Sequence, residues 1–188
     1  LKPWKYIALA ANILVLSACG TTAVEKDAQQ TKSSQKLDLD DPLSVAEATV
    51  VQRGDSNLTT IYKGPNVAGN PRDQLFIRAL KTDAGNITYQ IYIVINYTGV
   101  WRFYNWAYDT KGSTLLLTNM TRDIEECKRV DCSQQEFVIL DVTRKYLEDQ
   151  MQSGLRFWLN AKKEKTEEVY FIPSGYIIAF LSLADKSR

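Results

Sequence analysis

Cys127 and Cys132, in Cys127-Lys128-Arg129-Val130-Asp131-Cys132, are the one pair of thiols close enough in sequence to act together. A tetrahedral metal shell would need a second pair or histidines, and the 188-residue chain has neither. Nor is the spacing the Cys-x-x-Cys of thioredoxin-type redox centres. The absence of histidine also removes the commonest general base, and with it the Ser-His-Asp and Cys-His arrangements. Acid–base work would fall to carboxylates alone. Asp123, Glu125 and Glu126 crowd beside Lys128 and Arg129, and such mixed charge reads as a solvated face. Paired carboxylates do run glycoside hydrolysis, so a carboxylate-dependent hydrolase is the one enzymatic form the composition admits. The sequence assigns no catalytic residue, metal ligand or cofactor.

The stretch Trp101-Arg102-Phe103-Tyr104-Asn105-Trp106-Ala107-Tyr108 carries the other possible chemistry. Strand alternation puts Trp101, Phe103, Asn105 and Ala107 on one face and Arg102, Tyr104, Trp106 and Tyr108 on the other. One face must be core. The other is either a second buried layer or an exposed platform, and flat rings with a polar edge suit protein anchors and sugars alike. Arg102, Tyr104, Trp106 and Tyr108 are therefore the candidate binding face. The loop from Tyr62 to Asp73 is rich in turn formers but lacks the Gly-Lys-Ser/Thr ending of a phosphate-binding loop.

The N-terminus reads as an address. Lys2 and Lys5 precede a short apolar run, Ile7 to Leu16, which stops at Ser17-Ala18-Cys19. The run is shorter than the roughly 20 apolar residues a membrane span needs. Leu16-Ser17-Ala18-Cys19 resembles the lipobox of bacterial lipoproteins. The resemblance implies removal of residues 1–18 as a signal peptide and a diacylglycerol on the thiol of Cys19. It implies a chain anchored to a membrane without spanning it, each buried acyl methylene contributing about 0.8 kcal/mol. Gly20 after the cysteine, rather than aspartate, fits the enterobacterial pattern for the outer membrane, facing the periplasm. Export also favours a structural disulfide between Cys127 and Cys132, stapling a short loop. Loss of Lys2 and Lys5 takes the formal charge from +1 to −1, which offers no footprint for nucleic acid.

These residues must be carried by a fold. Residues 20–43 carry hardly any apolar side chains, and 19–43, with the lipidated cysteine, are read as a flexible linker with a reach of about 25–30 Å. Residues 44–188 are read as one α+β domain. Ile87 to Tyr97 is its clearest strand, with Ile87, Tyr89, Ile91, Ile93, Ile95 and Tyr97 on one face. Leu75 to Leu80 should pair with it as a hairpin, and turns at Thr98-Gly99 and Asp109 to Gly112 continue an antiparallel meander into Thr114 to Leu117. Phe137 to Val142 is a strand leading into a Thr143-capped helix that runs to about Gln152. Leu155, Phe157 and Leu159 alternate again, as do Val169 and Phe171, before a C-terminal helix after Pro173 with Tyr176, Ile177, Phe180 and Leu181 at helical spacing. The expectation is an antiparallel, meander-like sheet with one or two helices packed on it. The second half resembles uncharacterised exported bacterial lipoproteins, to which no activity attaches.

Together these readings describe an envelope lipoprotein with a non-enzymatic binding domain. Its partner would be a protein of the envelope or, alternatively, a peptidoglycan or surface glycan. A hydrolase ranks third.

Overall fold

The alternation of Ile87 to Tyr97 becomes β4 (Ile87–Thr98), the long strand around which the sheet is built. Tyr89, Ile91, Ile93, Ile95 and Tyr97 are buried on one face, while Val94 and Asn96 are covered on the other. Buried this way, its N–H and C=O groups need paired strands along both edges. The computed structural model describes residues 37–54, 58–128, 131–162 and 166–186. Cys19 and the tether up to residue 36 lie outside the described residues.

Within them, α1 (Pro42–Ala48) leads into β1 (Val50–Arg53), β2 (Thr59–Lys63), β3 (Gln74–Thr82) and β4. Next come β5 (Tyr104–Asp109), β6 (Thr114–Lys128), β7 (Asp131–Val142) and α2 (Arg144–Glu148). The chain ends with β8 (Leu155–Ala161), β9 (Glu167–Ile172) and α3 (Ser174–Lys186). All nine strands form one antiparallel sheet in the order β1-β2-β3-β4-β7-β6-β5-β8-β9. The fold is thus mostly β with three helices, more sheet than the α+β expectation. The meander also stops at β4. Instead of pairing with β5, β4 takes β7 as its neighbour over ten register positions, Tyr89↔Val142 to Thr98↔Ser133. Strands β5, β6 and β7 then run back as hairpins, and β8 returns beside β5, which is Greek-key connectivity.

The amphipathic stripe on α3 closes the inner face. Tyr176, Ile177, Phe180, Leu181 and Ala184 are buried together with Ile77, Ile91, Ile93, Leu140, Leu155 and Phe157. The hydroxyl of Tyr176 accepts from Ile77 N (3.2 Å) and donates to Pro65 O (3.0 Å), crossing above Gly64, where a Cβ would lie 2.0 Å from that oxygen. Asp41 caps α1 by accepting from Leu43 N and Ser44 N, and Pro42 pre-sets its first turn. The folded part therefore starts before residue 44: Leu39 packs on the core, and the Asp40 carbonyl lies against Gly175. Thr143 caps α2 as expected, but that helix stops at Glu148. Arg144 ties it to α3 through a bidentate pair with Asp185, both contacts 2.7 Å.

Candidate binding face

The aromatic stretch does not alternate as a single strand. Residues 101–103 lie outside β5, and the β5–β8 ladder shifts register between Tyr104 and Trp106. The extra residue sends Tyr104 and Ala107 inward while Asn105 and Trp106 both point out. Of the four residues assigned to the binding face, Trp106 and Tyr108 are on it. Arg102 and Tyr104 are not, and Tyr104 is fully buried.

The cause is a carboxylate behind the sheet. Glu136 on β7 is 1% exposed and accepts from Arg102 N (3.1 Å), Phe103 N (3.0 Å) and Tyr104 N (3.2 Å). Phe103 adopts a left-handed backbone, φ 60°, so three successive N–H groups converge on one anion. That conformation costs a non-glycine residue about 1–2 kcal/mol, and the charge-assisted bonds offset it. Tyr97 also donates its hydroxyl to Glu136, and Arg122 Nε lies 3.3 Å away with its guanidinium 4.4 Å above the Phe103 ring. Arg102 folds back over Tyr97 (4.3 Å) and pairs with Glu168 (2.9 Å), which also accepts from Tyr104 Oη (3.2 Å). Every member of this network has a partner. It holds the crossover between β4 and β5, and so fixes where the bulge falls.

Burial keeps the hydroxyls of Tyr97, Tyr104, Tyr146, Tyr170 and Tyr176 protonated well above the usual tyrosine range, with Glu168 adding to the effect at Tyr170. Unfolded, these groups ionise near pH 10. Below that value their stabilisation is complete. As pH rises past it, the unfolded chain loses protons that the fold retains, so stability falls. In an alkaline titration their tyrosinate absorbance should therefore appear together with loss of the fold. Gradual ionisation near pH 10 in a still-folded chain would contradict their burial.

On the opposite face, register brings in a residue not singled out from the sequence. Trp158 on β8 sits opposite Tyr108, and their rings stack at 5.3 Å with planes 9° apart. Trp106 leans on Tyr108 at 5.0 Å and 35°. Beyond Trp158, Val169 and Phe171 on β9 are 51% and 42% exposed, and Arg156 lies 5.3 Å over the Phe171 ring. Val169 and Phe171 do alternate, but they face solvent. Glu168 and Tyr170 take the inner positions because Arg102 and Phe157 receive them there. Trp106, 48% exposed, completes a row of apolar side chains across β5, β8 and β9. The signal for Trp158 was the alternation of Leu155, Phe157 and Leu159, which leaves it on the outer face.

No known protein family, curated protein or solved structure matches the chain. The face must be read from its own chemistry. Among the described residues no three Cys, Asp or Glu side chains gather as a metal site, and no helix is long and apolar enough to cross a membrane. Cys127 and Cys132 are direct cross-strand partners near the end of the β6–β7 hairpin, and Asp123, Glu125 and Glu126 also belong to β6.

Proposed function

We propose that the chain is a bacterial envelope lipoprotein, held by a diacylglycerol on Cys19, whose folded part binds another protein through Trp106, Tyr108 and Trp158. The stacking of these rings carries the reading. A sugar-binding platform needs ring faces free to lie against the pyranose, but here Tyr108 has its faces against Trp106 and Trp158. What the row offers is a continuous strip of mutually packed rings and apolar side chains, the kind of surface that protein hot spots use. The exposed Val169 and Phe171 extend it without adding sugar-binding polar groups. The same reading includes a disulfide between Cys127 and Cys132. Directly opposed residues in an antiparallel pair have Cα atoms about 4.5–5.5 Å apart, within a disulfide's span.

Photo-crosslinking in cells from position 106 tests the proposal. A discrete protein adduct, recovered with the membrane fraction and released from it by Cys19→Ala, is the expected result. Adducts to glycan alone, or none, would overturn the binding reading. Fatty-acid labelling that persists in Cys19→Ala would overturn the anchor.

A further inference from the structure

The strand β9 ends the sheet, and its hydrogen bonding fixes which groups its free edge presents. Ala161 N donates to Thr166 O at 2.9 Å, so the bonded pairs of this ladder continue two residues apart, at Leu159–Glu168, Phe157–Tyr170 and Leu155–Ile172. Glu167, Val169 and Phe171 fall between them and turn their N–H and C=O groups away from β8. Among the described residues, none of those groups meets another backbone group.

Natural sheet edges are usually blunted by shortness, proline, bulges or charged side chains. The β8–β9 ladder runs six register positions without a bulge, β9 (Glu-Glu-Val-Tyr-Phe-Ile) contains neither proline nor lysine, and its charges are confined to its first two residues, Glu167 and Glu168, the latter neutralised by Arg102. The opposite edge differs. There β1 has only four residues and closes on Arg53, ion-paired with Asp83 at 2.8 Å. The two residues at the free β9 edge with the most exposed apolar side chains, Val169 and Phe171, are also the ones that continue the Trp106–Tyr108–Trp158 row.

We propose that β9 is a docking edge, to which an extended segment of the protein partner adds as a further strand. This rests on the reading of the outer face given above. Side chains of the added strand opposite Val169 and Phe171 would lie on that face and lengthen its apolar row. Cross-strand pairing therefore calls for apolar residues at alternate positions. Glu167 accepts from Tyr108 Oη at 2.6 Å and has no cation among the described residues, which calls for a lysine or arginine near the end of the row.

Val169→Pro tests the edge. It removes an outward N–H and sets a ring there without taking a bond from the β8 ladder. With the photo-crosslinker at position 106 of the full lipidated chain, Val169→Pro should lower adduct yield by about tenfold or more, as loss of one hydrogen bond and closure of the edge imply. Val51→Pro, on the β1 edge, should leave the yield unchanged. An undiminished adduct in folded Val169→Pro would overturn strand addition and leave face binding standing, whereas no adduct in the unsubstituted chain would overturn the face reading itself. Should Val169→Pro fail to fold, Glu167→Pro is compared with Glu167→Ala. Both lose the bond to Tyr108, but only the proline loses an outward N–H, so a lower yield with proline supports docking and equal yields refute it.

Discussion

Replacing Glu136 by alanine is expected to destabilise the fold by about 3–5 kcal/mol, the range seen when one partner of a buried charged network is removed. The substitution removes the shared acceptor of the Arg102, Phe103 and Tyr104 N–H groups, leaving Arg102 N its bond to Tyr97 Oη (3.0 Å), and deprives Tyr97 and Arg122 of the carboxylate. It also removes what holds Phe103 in its left-handed conformation. Glu136→Gln keeps one acceptor oxygen and should cost less, about 1–3 kcal/mol. Urea unfolding of the purified chain measures both. A cost below about 1 kcal/mol for the alanine variant would mean that the carboxylate does not organise the crossover. Because the same network sets the bulge, Glu136→Ala should also disturb the outer aromatic row, visible as a change in tryptophan emission before global unfolding.

Phe180→Ala should be as damaging for a different reason. Its ring is buried between α3 and the sheet, near-parallel to that of Tyr176 at 6.3 Å and 15°. Truncation leaves a void between a helix and a sheet that are pinned around it by the Tyr176 hydroxyl bonds and the Arg144–Asp185 pair, so the site cannot collapse. A loss of about 3–5 kcal/mol is expected. Ser182, exposed on the same helix, bonds only to Ile178 O, and Ser182→Ala should stay within about 0.5 kcal/mol. Equal effects at the two positions would mean that α3 does not cap the core.

The rigid part of the site is the charged network behind the sheet, where every group is partnered. The exposed part is a row of rings on three adjacent strands. A partner would meet a preformed surface and immobilise little beyond its own segment, which lowers the entropic cost of binding. Trp106 is half exposed and rests on Tyr108, so under the proposed function Trp106→Ala is expected to lower partner crosslinking more than stability.

Elements whose periodicity is complete within a few residues are legible in the chain without its fold. In β4 the period-two run from Ile87 to Tyr97 leaves one way to bury its apolar face. In α3 the spacing of Tyr176, Ile177, Phe180 and Leu181 does the same at helical period, and Thr143 marks the start of α2 through a local cap. The β3–β4 and β5–β6 hairpins followed from turn residues such as Gly85 and Gly112, both with positive φ. These are short-range effects, carried by neighbours in the chain.

Strand order, the phase of β9 and the membership of the outer face depend instead on contacts between segments distant in the chain. That β4 pairs with β7 rather than β5 depends on long strands meeting across 35 to 53 residues of sequence, from Thr98↔Ser133 to Tyr89↔Val142, which no local pattern encodes. Glu136 lies in a stretch that reads as an ordinary polar-to-apolar transition. Its role appears once β7 brings it beneath residues 102–104. The bulge that this contact fixes breaks the alternation of 101–108, moving Tyr104 into the core and leaving Trp106 outside. Tyr170 and Glu168 likewise turn inward because Phe157 and Arg102 wait for them on other strands. Alternation says which residues share a face. Which face is buried, and where the alternation slips, is settled by partners distant in sequence.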